Sequence, residues 1–377
     1  MKTKKILAIG NLFPLPWEPH RGSFNRQQFE RLEQEHQVEY IIPVAFTEWF
    51  KHKSEVKSNK ESNKHYVPYF FTPKIGRAFY SYWMLLSLLF PVKKVIKRFD
   101  PDLIFVSWAF PEGVAVAKLA RIFKLPFILK VHGTDINDFI DLPGRGKQIV
   151  KACNQASTIL SVSQALCDKM VEAGVAKEKI VVNYNGVNKN LFFNDESVNT
   201  NTKPLLLYVG NLKRTKGVLA CAEAFGEIIN QGIDAELCFI GQGTDKVHIE
   251  KILAENPKAK ELTHFLPPMP QEEIRSWMNK AHLLLLPSFN EGVPNVVLEA
   301  KACGLPSIAT AVGGIPEILC EGEGLLVPLH DTQALISAIR TGLESNWNRK
   351  AVAEGAQRFT WEENIANVNA AIDKAIN

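Results

Sequence analysis

Long apolar runs are scarce in this chain. The longest, "FYSYWMLLSLLFPV" from Phe79 to Val92, falls short of the ~20 residues that a membrane-spanning helix needs. It reads first as a helix packed into a core or against a neighbouring domain. The second reading is an interfacial helix, because the basic "KKVIKR" follows at once. The start, "MKTKKILAIGNLFP", is basic, but its apolar stretch is too short for a secretory signal and lacks a small-residue cleavage pattern. Cysteine is also sparse. Cys153, Cys167, Cys221, Cys238, Cys303 and Cys320 form no C-x-x-C pair and no ligand-like cluster, and most sit in apolar surroundings, so small core residues in a reducing cytoplasm are the default reading. Charge of one sign is weak as well: a formal net charge of +4 favours anionic ligands or membrane surfaces without calling for nucleic acid. The lysine-rich stretches Lys2–Lys5, Lys51–Lys60 and Lys93–Arg98 read as solvated surface. With 46% hydrophobic and 22% charged residues the chain is globular rather than disordered, and 377 residues suffice for two domains.

Complete nucleotide fingerprints are missing too. "NLKRTKGV" holds Lys213, Arg214 and Lys216 after an apolar run, but Gly follows the lysine where a P-loop requires Ser or Thr. "GQGTDK" starts a G-x-G-x-x-G pattern with Gly241 and Gly243 and then fails, since Lys246 takes the third glycine position. It also follows the second strand of its domain rather than the first, so a dinucleotide-dependent oxidoreductase is a poor reading.

Short apolar runs alternating with helical patterns are present along nearly the whole chain. The strand candidates are "KILAIG", "VEYIIPV", "DLIFVSW", "FILKVH", "TILSVS" and "KIVVNY", then "LLLYVG", "ELCFIG", "ELTHFL", "HLLLLP", "PSIAT" and "GLLVP". Several are apolar on both faces, as parallel strands covered by helices on each side must be. Such alternation means α/β, doubly wound parallel sheets. The rhythm breaks in the Asn/Thr-rich stretch Asn188–Pro204, which places a boundary near residue 195. The expected organisation is therefore two doubly wound domains in tandem, residues 1–194 and 195–360, with a cleft between them. In such sheets ligands bind beyond the C-terminal strand ends.

Several residues stand at those ends. The basic loop with Arg214 and Lys216 opens a helix, an arrangement that suits phosphate, although a solvated basic turn reads equally well. In "FNEGVPNVVLEAKACGLP" Pro294 suits the first helical position and Gly304 the stop, which predicts a helix from Pro294 to about Cys303. Glu291 then lies in the loop entering that helix and Glu299 more than a turn inside it. At a rise of about 1.5 Å per residue the two carboxylates reach different parts of one elongated ligand. A carboxylate near a helix N-terminus is also favourable on dipole grounds alone. Gly313 and Gly314 mark a further turn that admits a ligand or makes a tight bend. His132 ends a buried strand before Gly133, either as a satisfied core group or as a catalyst. Gly22 opens a helix after a long first loop.

Together the segments "RGSFNRQQFERL", "DLIFVSWAFPEGVAVAKLA", "HGTDI", "YNGVN", "YVGNLKRTKGV" and "PSFNEGVPNVVLEAKACGLPSIATAVGGIPEIL" resemble the retaining nucleotide-sugar glycosyltransferases of family 4, which have the GT-B fold. The last segment is the most specific, because it contains the family's E-x7-E motif. The resemblance implies that Glu291 contacts donor-sugar hydroxyls and Glu299 the nucleotide's ribose. Backbone N–H groups of Gly292, Val293, Asn295 and Val296 would face the sugar and diphosphate. Lys216 matches the diphosphate-binding lysine, His132 the histidine that contacts the sugar's primary hydroxyl, and Gly22 the glycine of the first loop near the donor phosphate. Gly241 and Gly243 permit close approach, and Leu266 lies in "HFLPPMP" beside the base. The stretch 361–377 resembles the family's closing helix, which crosses back to the first of its two Rossmann-like domains. One departure stands out. Where many members have Arg after the glycine of "YVG", this chain has Asn211, so Arg214 or Lys216 alone would carry that charge.

The implied activity is transfer of a hexose-type sugar from a UDP- or GDP-sugar to a hydroxyl of a glycan or lipid-linked glycan in cell-surface polysaccharide biosynthesis. No metal and no cofactor are expected. The expected setting is the cytoplasm, with peripheral contact at the inner face of the cytoplasmic membrane. A retaining glycosidase, with carboxyl groups roughly 5–5.5 Å apart, and a non-catalytic sugar-nucleotide-binding subunit are the alternatives.

Overall fold

The computed structural model describes residues 2–19, 21–58, 61–72, 76–198 and 203–377. Its contacts divide the chain into two compact units, Met1–Tyr184 together with Glu362–Asn377, and Asn185–Trp361. The first contains β1 (Lys5–Ile9), β2 (Gln37–Ala45), β3 (Lys64–Tyr69), β4 (Leu103–Ser107), β5 (Phe127–Val131), β6 (Thr158–Ser161) and β7 (Ile180–Val182). They form one parallel sheet in the order β3-β2-β1-β4-β5-β6-β7. The second contains β8 (Leu205–Val209), β9 (Glu236–Ile240), β10 (Thr263–Leu266), β11 (Leu283–Leu286), β12 (Ser307–Thr310) and β13 (Gly324–Val327), parallel in the order β10-β9-β8-β11-β12-β13. Each sheet thus reverses its strand order once, between β1 and β4 and between β8 and β11. Every strand candidate of the sequence reading is a strand. The sheet edge β3 is an addition. Its "KHYVPY" carries Pro68 and little full burial, both of which an edge strand tolerates.

Strand alternation builds a core on each face of the first sheet. Leu7 and Ile9 pack with Met84, Leu88 and Val92, whereas Ile6 and Ala8 pack with Phe29, Val368 and Ile372. The helix Trp361–Ile376 therefore helps to cover the first sheet. Burying a side chain of this size stabilises by about 1.5–3 kcal/mol, so its Ile365, Val368 and Ile372 anchor it firmly. The long apolar run forms the helix Tyr80–Phe99, which sets Met84, Leu88, Val92 and Val95 into its own unit's core and leaves the other face exposed.

The division falls after Tyr184, and the described part of the Asn/Thr-rich stretch lies inside the second unit; residues 199–202 are outside the described residues. The two crossing segments run side by side. Val187 N–H donates to the Phe359 carbonyl at 3.1 Å, and a Cβ added at Gly186 would stand 2.4 Å from Trp361 N. Backbone pairing, not polar composition, marks where the chain changes unit.

Candidate active site

In the second unit the loops after the adjacent strands β8 and β11 leave the sheet at its order reversal, where ligands of doubly wound sheets bind. The β8 loop ends in a single 3-10 turn, Arg214–Lys216, before the helix Val218–Asn230. Phe289 N–H donates to the Thr215 carbonyl at 2.9 Å and ties the two loops together. The result is an ion pair: Lys216 Nζ donates to Glu291 Oε1 at 2.7 Å, with Lys216 about one-third exposed and Glu291 mostly covered. Two residues far apart in sequence thereby meet because their strands are neighbours.

The helix after Glu291 runs Asn295–Ala302, with Pro294 at the cap (φ −73°, ψ 114°). The expected helical start at Pro294 is thus one residue early, because Pro294 has an extended ψ. Cys303 is the last capping residue, and Gly304 follows at φ +67°. The first N–H groups of this helix have no partner within it, and the dipole adds positive potential there. Gly292, Val293, Asn295 and Val296 surround this end. The Gly292 carbonyl accepts from Gly314 N–H at 2.8 Å. A Cβ on Gly313 (φ +52°) would come within 1.9 Å of the Glu291 carbonyl. The Gly-Gly turn is accordingly a seat for the Glu291 loop.

Glu299 is half-buried on the second turn, and burial pushes its carboxyl up to about 7. Asn211 is exposed, and its carbonyl accepts from the Tyr208 hydroxyl at 2.9 Å. Arg214 is exposed as well; its backbone N–H donates to Asp245 Oδ2 at 2.8 Å. Gly241 and Gly243 are explained by packing. A Cβ on Gly241 would meet the Gly210 carbonyl at 2.0 Å, and one on Gly243 the Leu212 carbonyl at 2.2 Å. Gly241 N–H donates to the Leu266 carbonyl at 3.0 Å, which places Leu266 beside that turn.

The first unit has a different character at its own reversal, between β1 and β4. Gly22 caps the helix Ser23–Leu32 at φ +59°, and a Cβ there would strike the Leu12 carbonyl at 2.0 Å. Three residues on, buried Asn25 donates to that carbonyl at 3.0 Å and to Ser107 Oγ at 2.8 Å. Ser107 Oγ lies 2.7 Å from His132 Nε2. His132 is half-buried, and Phe24 and Trp108 flank its ring at 4.8 and 6.1 Å. Burial, reinforced by Lys130, holds its pKa well below the ordinary imidazole value; at neutral pH it is an uncharged hydrogen-bonding group.

Buried polar groups support this loop from below. Asp135 accepts from Ala109, His132 and Gly133 N–H at 2.9, 3.0 and 2.9 Å. It thus fastens the β4 and β5 ends to one carboxylate. Lys130 is fully buried, and burial lowers its pKa to about 7. Its Nζ donates to Gln28 Oε1 at 3.1 Å. Gln28 Nε2 donates to Asn364 Oδ1 at 2.5 Å, and Asn364 Nδ2 to the Tyr184 carbonyl at 2.6 Å. Glu112, in the turn after β4, is fully buried with neither oxygen partnered among the described residues, and burial raises its carboxyl to about 8. Sequence reasoning missed Asn25, Ser107, Glu112 and Lys130. Only Lys130, charged inside the apolar run "FILKV", carried a visible signal, since lysine is almost never fully buried without a partner.

Two family descriptions divide the chain. Residues 26–191 match "Glycosyltransferase Family 4" and residues 192–359 match "Glycosyl transferases group 1". An uncharacterized glycosyltransferase of Methanocaldococcus jannaschii is 31% identical over 284 residues, 73% of this chain and 76% of that one. The putative teichuronic acid biosynthesis glycosyltransferase TuaC of Bacillus subtilis is 27% identical across 89% of this chain and 88% of its own. Among solved structures, HepE of Anabaena in complex with UDP shares the fold at a TM-score of 0.75, with 18% identity, covering 98% of this chain and 100% of that one. With two Rossmann-like parallel sheets of the GT-B class, this chain belongs to the group 1, family 4 glycosyltransferases and is a glycosyltransferase.

Proposed function

We propose that the protein transfers a hexose-type sugar, with retention of anomeric configuration, from a UDP- or GDP-sugar to a hydroxyl of a glycan or lipid-linked glycan. The observation that carries this reading is the Lys216–Glu291 pair beside the N-terminus of the helix Asn295–Ala302. In the reaction the bond from the anomeric carbon to the diphosphate oxygen breaks and a bond to the acceptor oxygen forms. The acceptor proton passes to the departing phosphate. The leaving group therefore gains negative charge, and we assign its stabilisation to Lys216, Arg214 and the helix N–H groups. When the diphosphate arrives, Lys216 turns from Glu291 toward it, and the Glu291 carboxylate accepts from sugar hydroxyls. Glu299 receives the ribose hydroxyls. To the first unit we assign the acceptor and, through neutral His132, recognition of a sugar hydroxyl.

The charge that a divalent cation would neutralise is met here by basic side chains, so transfer proceeds in the presence of a chelator. The naming of TuaC as a putative teichuronic acid biosynthesis glycosyltransferase and the UDP bound to HepE support a nucleotide donor and a cell-surface polysaccharide product. Such donors are cytoplasmic, so we assign the protein to that compartment. The test is a thermal-shift series with UDP and GDP on the wild type and Lys216→Ala. Protection by one nucleotide that the variant loses supports the reading; equal behaviour of both proteins refutes it. Hydrolysis of a simple glycoside with no nucleotide sugar present would point instead to a glycosidase.

A further inference from the structure

Among the described residues no helix is long and apolar enough to cross a membrane, yet one helix exposes a face that water does not favour. Along Tyr80–Phe99 and its cap, Phe79, Trp83, Leu86 and Phe90 recur at helical spacing on the outside. Phe90 is 76% exposed and Leu86 60%. The stripe from Phe79 to Phe90 is about 16 Å long at the α-helical rise. At its upper end Phe70, also exposed and following β3, stands edge-on to Trp83 at 5.4 Å and stacks on Phe46 at 5.4 Å. The aromatic run therefore begins at the C-terminal ends of β2 and β3, the edge of the sheet where ligands bind. Scattered exposed apolar residues need no explanation, whereas a contiguous aromatic patch marks an interaction surface.

The continuation of the stripe identifies the partner. Past Phe90 the same spacing reaches Lys94 and Lys97, both exposed, with Lys93 beside them. The helix Tyr80–Phe99 contains no acidic residue. Aromatic and aliphatic side chains followed by lysines on one face match the boundary of an anionic bilayer: rings enter the headgroup region and ammonium groups meet lipid phosphates. A second copy of this face would bring no acidic residue to meet those lysines.

We infer that the exposed face of the helix Tyr80–Phe99, extended by Phe70, docks the enzyme on the surface of an anionic phospholipid bilayer. A lipid-linked acceptor would then reach the strand ends without leaving its membrane. That consequence rests on the proposed acceptor class; the docking itself does not.

Flotation of the purified full-length protein tests it, using phosphatidylcholine vesicles with and without phosphatidylglycerol. The protein is expected to rise with the anionic vesicles and to stay below with the neutral ones. Replacing Lys93, Lys94 and Lys97 by Gln together weakens partitioning about 100-fold, at about fivefold per lysine. Phe90→Ser with Leu86→Ser costs at least tenfold or so. All five positions are exposed, so unchanged thermal midpoints verify folding. The proposal is overturned if the protein stays with the soluble fraction, or if both variant sets bind as well as wild type. A concentration-dependent dimer lost in Phe90→Ser, without vesicle binding, would overturn it in favour of self-association. None of these readouts involves sugar transfer, so the two proposals fail separately.

Discussion

The two sheets reverse their strand order in the same way but furnish the reversal with opposite chemistry. In the second unit it holds a partly exposed ion pair, Lys216–Glu291, and a half-buried carboxyl on Glu299. In the first it holds neutral imidazole, hydroxyl and amide groups joined in a line, His132, Ser107 and Asn25, above buried supports. The difference follows from desolvation. A charge at a partly wet edge remains available to exchange partners, whereas a buried one must be matched in place or neutralised. One edge suits a charged diphosphate; the other suits hydroxyl groups, whose recognition needs positioned but uncharged partners.

The sharpest way to break this contrast is at Glu291. Glu291→Ala is expected to lower the transfer rate by roughly 10²–10³-fold while nucleotide-induced thermal protection survives, because the variant retains Lys216, the group proposed for the diphosphate. Loss of both together would mean that Glu291 only supports the loop. On the other side, His132→Ala should reduce kcat/KM by about 10–100-fold, the worth of one or two substrate hydrogen bonds. His132→Asn should recover part of this, since an amide is also neutral and donates. A collapse of the thermal midpoint in both variants would assign His132 to the fold instead.

Asn25→Ala removes a buried donor to two acceptors, Leu12 carbonyl and Ser107 Oγ. It should destabilise by about 1–3 kcal/mol, measured by denaturant unfolding, and loosen the His132 ring. Smallest of all is a pH effect at Glu299. Its carboxyl is raised by burial to about 7, so the folded state holds a proton that the unfolded chain has already lost. Its contribution is fully present below the ordinary carboxylate range and is lost as pH rises through about 7. Glu299→Gln should therefore flatten the fall in thermal midpoint between about pH 5 and pH 8. Glu112→Gln should do the same up to about pH 8. An unchanged slope in both variants would remove burial as the source.

Much of this was legible in the chain. The strands could be read because parallel strands buried on both faces are continuously apolar. That Lys216 and Glu291 stand just beyond strand ends could be read as well, because each follows a continuously apolar run and precedes a helical pattern. The edge strand β3 could not, since its "KHYVPY" shows neither an apolar run nor clean alternation. Gly241 and Gly243 pointed to a turn, but not to its cause, the carbonyls of Gly210 and Leu212 lying across it. Asn25 and Ser107 looked like ordinary polar residues, because nothing local marks a hydrogen bond spanning 82 positions.

What the sequence determined by itself is the strands other than β3 and their order along the chain, for these depend on side-chain periodicity and turn chemistry within short stretches. The tertiary structure alone decided which distant groups meet. Lys216 finds Glu291 because β8 and β11 are neighbours although β9 and β10 separate them in the chain. It also decided which apolar residues stay outside: Leu88 and Leu86 are the same residue type two positions apart, one sealed in the core and one in water. The helix repeat turns each to a different side, and only the packed sheet beneath chooses the side that is buried.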